Sequence, residues 1–171
     1  MNIYFKSLLY LSIYVILHYG YELTHWAFLA PFCGINESVF QHLKMAFWAY
    51  LLASVIEYLV VRRKFNKRET FWYPRLISTT ILPYFTMLIW YLAPAIFGRI
   101  EFLLLEVAWA TFSTYFSAVI AGRMERNIEE IKMNSILKII ILILFIVSAF
   151  LFVRFTYKPP WIDLFIDPEA L

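Results

Sequence analysis

Long apolar runs separated by short polar intervals set the pattern of this chain. The first runs from about Phe5 to Leu29, and the next from about Glu37 to Val61. Three more follow, at about Trp72–Ala95, Ile100–Ala121 and Ser135–Val153. Each is close to or above the ~20 residues that carry a helix across a ~30 Å hydrocarbon core. The expected architecture is therefore an all-α integral membrane protein, a bundle of five transmembrane helices followed by a tail, residues 155–171.

Punctuation between the runs sharpens this outline. Pro31 and Gly34 break the first helix. Asn36 has the character of an N-cap, which would place Glu37 and Ser38 in the first turn of the second helix, where a carboxylate suits the helix dipole. So short a connection makes the two helices antiparallel neighbours. Pro83 lies inside the third run, where loss of a backbone donor predicts a kink, and that run ends near Pro94. Gly98-Arg99 make a turn, and Arg123 to Lys132 is a mixed-charge stretch beyond the fourth run.

Five spans put the termini on opposite sides. Basic residues are dense at Arg62-Arg63-Lys64 and Lys67-Arg68 and recur at Arg123, Arg126 and Lys132. The other side offers little beyond Arg99, Arg154 and Lys158. The positive-inside rule then sets the N-terminus in the cytoplasm and the Pro-rich tail outside, in a multi-pass protein of the cell membrane.

Composition agrees with this picture. Of 171 residues, 63% are hydrophobic and 16% charged, with a mean hydropathy of +0.70. Soluble domains average about 45–50% apolar and about 25% charged. Aromatics make up 20% of the chain, many near helix ends where an interfacial belt forms. The first run is not a cleavable signal peptide, because it is long, carries His18, Glu22 and His25, and ends in a poor cleavage site. A net charge of +3 without a basic face or zinc-finger spacing excludes nucleic-acid binding. The single cysteine, Cys33, forms no internal disulfide. No internal repeat supports an inverted-repeat carrier.

Ionisable side chains inside spans cost about 2.5–3.5 kcal/mol on insertion scales and face a bundle interior or a water-filled cavity. His18, Glu22 and His25 fall on one helical face, as do Glu37, Gln41 and Lys44, with His42 and Ser38 adjacent. The fourth run adds Glu101 and Glu106. At a rise of ~1.5 Å per residue, Glu22, His42 and Glu106 lie roughly 9–11 Å below the outer face and Lys44 about 12 Å. Polar groups from three helices thus share one level, with Glu37 at its rim.

The chemistry open to this group is broad. His18, Glu22 and His42 fit a divalent metal such as zinc, and Glu37, His42, Lys44 and Glu106 fit acid–base or electrostatic roles. That set suits a hydrolase or transferase acting on a lipid or lipid-linked group in the outer leaflet. The same groups suit a proton, ion or small-solute transporter component, and an oligomer would fit that use. In a structural or accessory subunit they would instead be ion pairs and helix glue, as single residues of this kind usually are. Glu57, near Arg62 and Arg63, is expected to be a snorkelling interfacial carboxylate. Ser113, Thr114 and Ser117 form a small stripe suited to close helix packing.

The chain resembles a family of small, uncharacterised prokaryotic membrane proteins. His18-Tyr19, Tyr21-Glu22, Asn36-Glu37-Ser38-Val39, His42 and Lys44 carry the resemblance. At the far end Phe155-Thr156-Tyr157, Pro159-Pro160, Leu164-Phe165 and Asp167-Pro168 carry it too. Gln41 stands where members often have Glu, and Glu106 where Asp is common. The resemblance implies a fold and a choice of residues, but no activity. It also draws attention to the tail as a lid over the site, stiffened by Pro159-Pro160 and anchored by Trp161, Leu164 and Phe165.

Overall fold

The computed structural model describes residues 1–62, 68–98 and 100–168. The basic loop residues Arg63, Lys64 and Lys67, the Arg68 side chain, and Arg99 of the expected turn lie outside the described residues. Five long helices make up the fold: α1 (Ile3–Thr24), α2 (Val39–Val61), α3 (Arg68–Phe97), α4 (Leu103–Glu129) and α5 (Ser135–Tyr157). Short 3-10 turns at Ala27–Leu29 and Asp163–Phe165 complete it. Four of the five, α2 to α5, are long and apolar enough to cross a membrane.

The fifth, α1, has its polarity inverted. It buries Lys6, Ser7, Tyr10, Tyr14 and Leu17 while exposing Phe5, Leu8, Val15, Ile16 and Leu23. Polar positions recurring every three to four residues define one helical face, and that face is the one turned inward. α1 and α3 each pack against both α2 and α4, so the four close into a ring around a core that includes Tyr10, Ala46, Ala49, Tyr50 and Ala118. The small residues let the helices approach closely. α5 stands outside the ring, against α3 and, through Phe145 on Phe47 (5.4 Å) and Phe152 on Phe40 (5.8 Å), against α2.

Several boundaries depart from the sequence expectation, each for a local reason. α1 ends at Thr24 rather than near Leu29, because His25 adopts a left-handed conformation (φ 52°) and its N–H closes onto the Tyr21 carbonyl. A 3-10 turn then carries the chain over to Pro31. α2 begins after Ser38 rather than after Asn36, whose side-chain oxygen instead accepts from the Ser38 N–H at 3.1 Å in an Asx turn. Glu37 therefore precedes the helix. α4 starts at Leu103 and runs through the mixed-charge stretch to Glu129.

α3 continues past the expected end and holds Pro74, Pro83 and Pro94 within its span. Pro94 lacks the N–H that would bond the carbonyl of Trp90, four residues earlier. The indole N–H of Trp109 on α4 donates to that oxygen at 2.9 Å. A neighbouring helix thus satisfies the group that proline frees, which is how membrane helices tolerate proline.

Candidate functional site

Two polar clusters lie at opposite ends of the bundle. The first is built by the loop Pro31–Ser38 and the helices it joins. His18 comes from the last third of α1, His42 from the first turn of α2, and Glu37 from the residue pair that leads into it. Glu37 Oε1 is 3.9 Å from His18 Nδ1, and Glu37 Oε2 is 3.4 Å from His42 Nε2. The two imidazoles meet edge to face with centroids 5.4 Å apart. One ligand atom from each of the three residues lies within 4.8 Å of the others. The side chains are half-buried, at 26% for His18, 33% for His42 and 40% for Glu37, so the cluster opens outward.

Orientation inside this cluster is informative. His42 Nδ1 lies 3.0 Å from the carbonyl oxygen of Ser38. A carbonyl only accepts, so Nδ1 carries the hydrogen and the neutral ring presents a lone pair at Nε2. That lone pair faces the Glu37 carboxylate. Two electron-rich atoms at this distance repel unless a cation sits with them, either a proton on Nε2 or a metal ion. A backbone carbonyl holding the far nitrogen is also how metal-binding histidines are usually oriented. His18 is held on its other side by Tyr19, whose ring stacks on it at 4.8 Å.

The other residues expected at this level are placed elsewhere. Glu22 is exposed on the last turn of α1 and is not among the converging ligands; Glu37 occupies the carboxylate position of the trio. Glu106 is exposed in the first turn of α4, where its charge suits the helix dipole, and Glu101 precedes that helix. His25 is exposed beyond the end of α1.

Lys44 is fully buried (0%) and faces away from the His–Glu trio. Phe40, Lys44 and Phe47 form the stripe of α2 that meets α5. The Lys44 ammonium donates to the Ala30 carbonyl at 2.6 Å and to Thr156 Oγ1 on α5 at 3.2 Å. It ties the α1–α2 loop to the last turn of α5. Beside it, Phe165 from the tail packs on Phe40 at 4.5 Å and on Phe155 at 5.5 Å.

The second cluster was not anticipated. Lys6 of α1 donates to both oxygens of Glu125 on α4 at 2.8 Å and pairs with Glu57 Oε2 on α2 at 2.8 Å. Arg75 of α3 forks onto Glu57 at 3.2 and 3.3 Å, lies 3.6 Å from Glu125, and pairs with Glu129. The Phe71 ring lies 4.1 Å from the guanidinium carbon. Glu57 is thus a buried partner of Lys6 and Arg75 rather than a snorkelling interfacial carboxylate. Buried charges of opposite sign offset one another's desolvation only with close geometry such as this. An open cleft of about 290 Å³, lined by Met1, Glu57, Arg75, Arg126, Glu129 and Glu130, reaches the cluster from outside.

The signal for this cluster was present but divided. Lys6 stands at the start of the first run, Arg75 three residues into the third, and Glu125 beyond the expected end of the fourth. Taken singly, each is a charged residue near the end of an apolar run. The spacing that joins them to the rest is Lys6, Tyr10, Tyr14 and His18, one residue in every four along α1.

No curated protein and no solved structure matches this chain. A family model does match, over residues 3–170. With nearly every residue covered, the chain belongs to DUF6512, a family of unknown function.

Proposed function

We propose that the chain is a five-span protein of the cell membrane whose His18–Glu37–His42 trio holds a divalent metal such as zinc. On this reading it is a hydrolase or transferase acting on a lipid or lipid-linked group in the outer leaflet. The convergence of three ligand atoms within 4.8 Å, with His42 Nε2 turned toward Glu37, carries the proposal. Zinc takes nitrogen and oxygen ligands at about 2.0–2.2 Å, and catalytic sites keep three protein ligands and an open position. A small closure of the trio meets that requirement, and its half-exposed mouth leaves room for substrate.

Bound there, a divalent metal would supply an activated water and polarise a carbonyl or phosphoryl oxygen. The chain's own groups do the rest. Ser38 fixes the His42 tautomer, and Tyr19 fixes the His18 ring plane. Exposed Trp26, Phe28 and Phe32 give the connection between α1 and α2 an apolar surface suited to acyl chains. The tail turn packs on Phe40 and Phe155, on the α5 side of α2 and away from the trio, so the expected lid role gains no support from this contact.

The inverted polarity of α1 supports its being the fifth span, since its outward face is apolar enough for lipid although its total composition is not. Arg62, Arg123, Arg126 and Lys132 gather at the end of the bundle that holds the α1 N-terminus, which supports a cytoplasmic N-terminus.

Elemental analysis of purified, dialysed protein tests the reading. The expected result is about one zinc per chain, lost in His18→Ala, His42→Ala and Glu37→Gln and kept in Glu22→Gln. Folded protein that retains no divalent metal, even after zinc loading, would overturn it. With metal in hand, the lipid profile of a deletion strain identifies the lipid class that accumulates.

A further inference from the structure

Where α1 and α4 meet, at the end of the bundle that holds the α1 N-terminus, a cleft of about 140 Å³ is lined by Asn2, Ile3, Tyr4, Arg123 and Arg126. The helices approach closely there, Gly122 against Ile3, so that α4 brings both arginines beside the first turn of α1. Every polar side chain in the cleft can donate a hydrogen bond, and none is acidic. Asn2 commits its side-chain oxygen to the Tyr4 N–H at 2.9 Å, which leaves its NH2 group as a donor. Arg126 gives one N–H to the Met1 carbonyl at 3.0 Å, and among the described residues neither arginine pairs with a carboxylate. Arg75, at the same end, is by contrast matched by Glu57, Glu125 and Glu129. The α4 dipole accounts for Arg126 in the last turn but not for Arg123, because the effect fades beyond that turn. No acidic residue in the first turn of α1 balances the positive end of its own dipole.

An apolar track leads away from this cleft. On α1, Tyr4, Leu8 and Val15 fall on one helical face and are exposed. On α4, Arg123, Phe116 and Phe112 share a face in the same way, with the two phenylalanines exposed and stacked at 5.4 Å. Met1 meets Arg126 while Tyr10 reaches Ser117, so the two helices run antiparallel and both faces lead in one direction. From Tyr4 to Val15, and from Arg123 to Phe112, a helix rises about 16 Å. That is about half of a ~30 Å hydrocarbon core, the depth of a single leaflet.

We propose that the cleft and its track bind one anionic phospholipid, with the phosphodiester on Arg123 and Arg126 and the acyl chains along Leu8, Val15, Phe116 and Phe112. Guanidinium groups meet phosphate oxygens through paired N–H donors, and basic pockets between membrane helices are where such head groups lodge. A zwitterionic head group would bring an ammonium into a cleft that holds no acidic side chain. A soluble phosphate ester would leave the exposed rings uncovered. Seated there, the lipid ties α1 to α4 beside the Lys6–Glu125 pair. The site rests on α1 being a span and needs no metal at the His–Glu trio.

The test is native mass spectrometry of the full chain in detergent, with phosphatidylglycerol, phosphatidylethanolamine or phosphatidylcholine of identical chains added in turn. Phosphatidylglycerol should be held at least five-fold more tightly than the other two. Arg123→Gln and Arg126→Gln should each weaken it about five-fold, the contribution of one arginine at a lipid surface. Lys132→Gln removes the same charge at the same end of the bundle and should leave binding unchanged. Arg123 makes no ion pair whose loss would unfold the chain, and circular dichroism confirms that each variant keeps its helices. Equal binding of the three lipids, an equal loss in Lys132→Gln, or displacement of the lipid by chain-free glycerophosphoglycerol would overturn the site. Labelling of Val15→Cys by a water-soluble maleimide in vesicles would overturn the span reading and the site with it. Protected Val15→Cys with no lipid preference overturns the site alone, and zinc content in the arginine variants reports on the trio separately.

Discussion

Lys6 and Glu125, separated by 119 positions in sequence, form a two-oxygen hydrogen-bonded ion pair at 2.8 Å inside the bundle. Removing one member leaves a buried charge uncompensated, at a cost of about 3–5 kcal/mol. Removing one of each sign preserves the balance, because Arg75 still meets Glu57 and Glu129. Lys6→Met and Glu125→Gln should each lower the thermal midpoint in detergent sharply. The Lys6→Met/Glu125→Gln double variant should recover much of the loss. A double variant as unstable as the sum of the singles would show that the pair is not coupled.

Trp109 holds α3 together at a proline. Trp109→Phe keeps an aromatic ring against α3 and removes only the donor to the Trp90 carbonyl. Losing that bond at a partly buried site is worth about 1–3 kcal/mol. Pro94→Ala restores an in-helix donor for the same carbonyl, so Trp109→Phe made in that background should cost markedly less. Chemical unfolding of the four proteins in mixed micelles gives the coupling directly.

Lys44 is placed as a latch, and its substitution should separate structure from chemistry. Lys44→Met fills nearly the same volume but leaves the Ala30 carbonyl and Thr156 hydroxyl without their donor. A stability loss of about 1–3 kcal/mol is expected, with zinc content unchanged because the side chain faces away from the His–Glu trio. Metal lost together with Lys44 would instead place it in the site.

The architecture was legible because helix periodicity and hydrophobic length are strong signals; all five helices stand where the apolar runs put them. Their ends were less so. Nothing in Thr24-His25-Trp26 marks a stop, since the left-handed turn there uses histidine where glycine is usual. That one break takes His25 out of the helix, while Glu22, one turn past His18 within α1, is exposed and outside the converging trio. His42 and Glu37 were legible as polar groups at a helix head. That Glu37 is the carboxylate His42 meets depends on the helix starting after Ser38 rather than Asn36, a two-residue difference that depth counting does not resolve. The Lys6–Glu57–Arg75–Glu125 cluster depends on contacts among four helices, which no single-helix pattern encodes.

Cys33 offers a probe of the loop beside the His18–Glu37–His42 trio. It is buried, and that burial raises its thiol pKa above the usual value, outweighing the opposing effect of the Lys44 ammonium. A raised pKa leaves the thiol protonated at neutral pH, and the thiolate is the reactive form. Maleimide labelling of folded protein should be at least ten-fold slower than that of the detergent-unfolded chain, and should accelerate as pH rises. Lys44→Met, by loosening the loop at Ala30, should speed labelling of the folded state at constant pH. Fast labelling of folded wild-type protein would contradict a closed loop.

Gly122 sets the distance between α1 and α4. A methyl group added there would meet Ile3 Cγ2 at 2.9 Å, closer than carbon atoms pack. Ile3 is β-branched and has little rotamer freedom to move aside. Gly122→Ala should therefore push the start of α1 away from α4 and cost about 1–3 kcal/mol, as overpacking does. The same shift would strain the Lys6–Glu125 pair, which lies one turn further along each helix. Ile3→Ala opens the space, so Gly122→Ala in an Ile3→Ala background should be close to neutral. If thermal midpoints show the two changes to be additive instead, the contact between α1 and α4 at this level is looser than the structure has it.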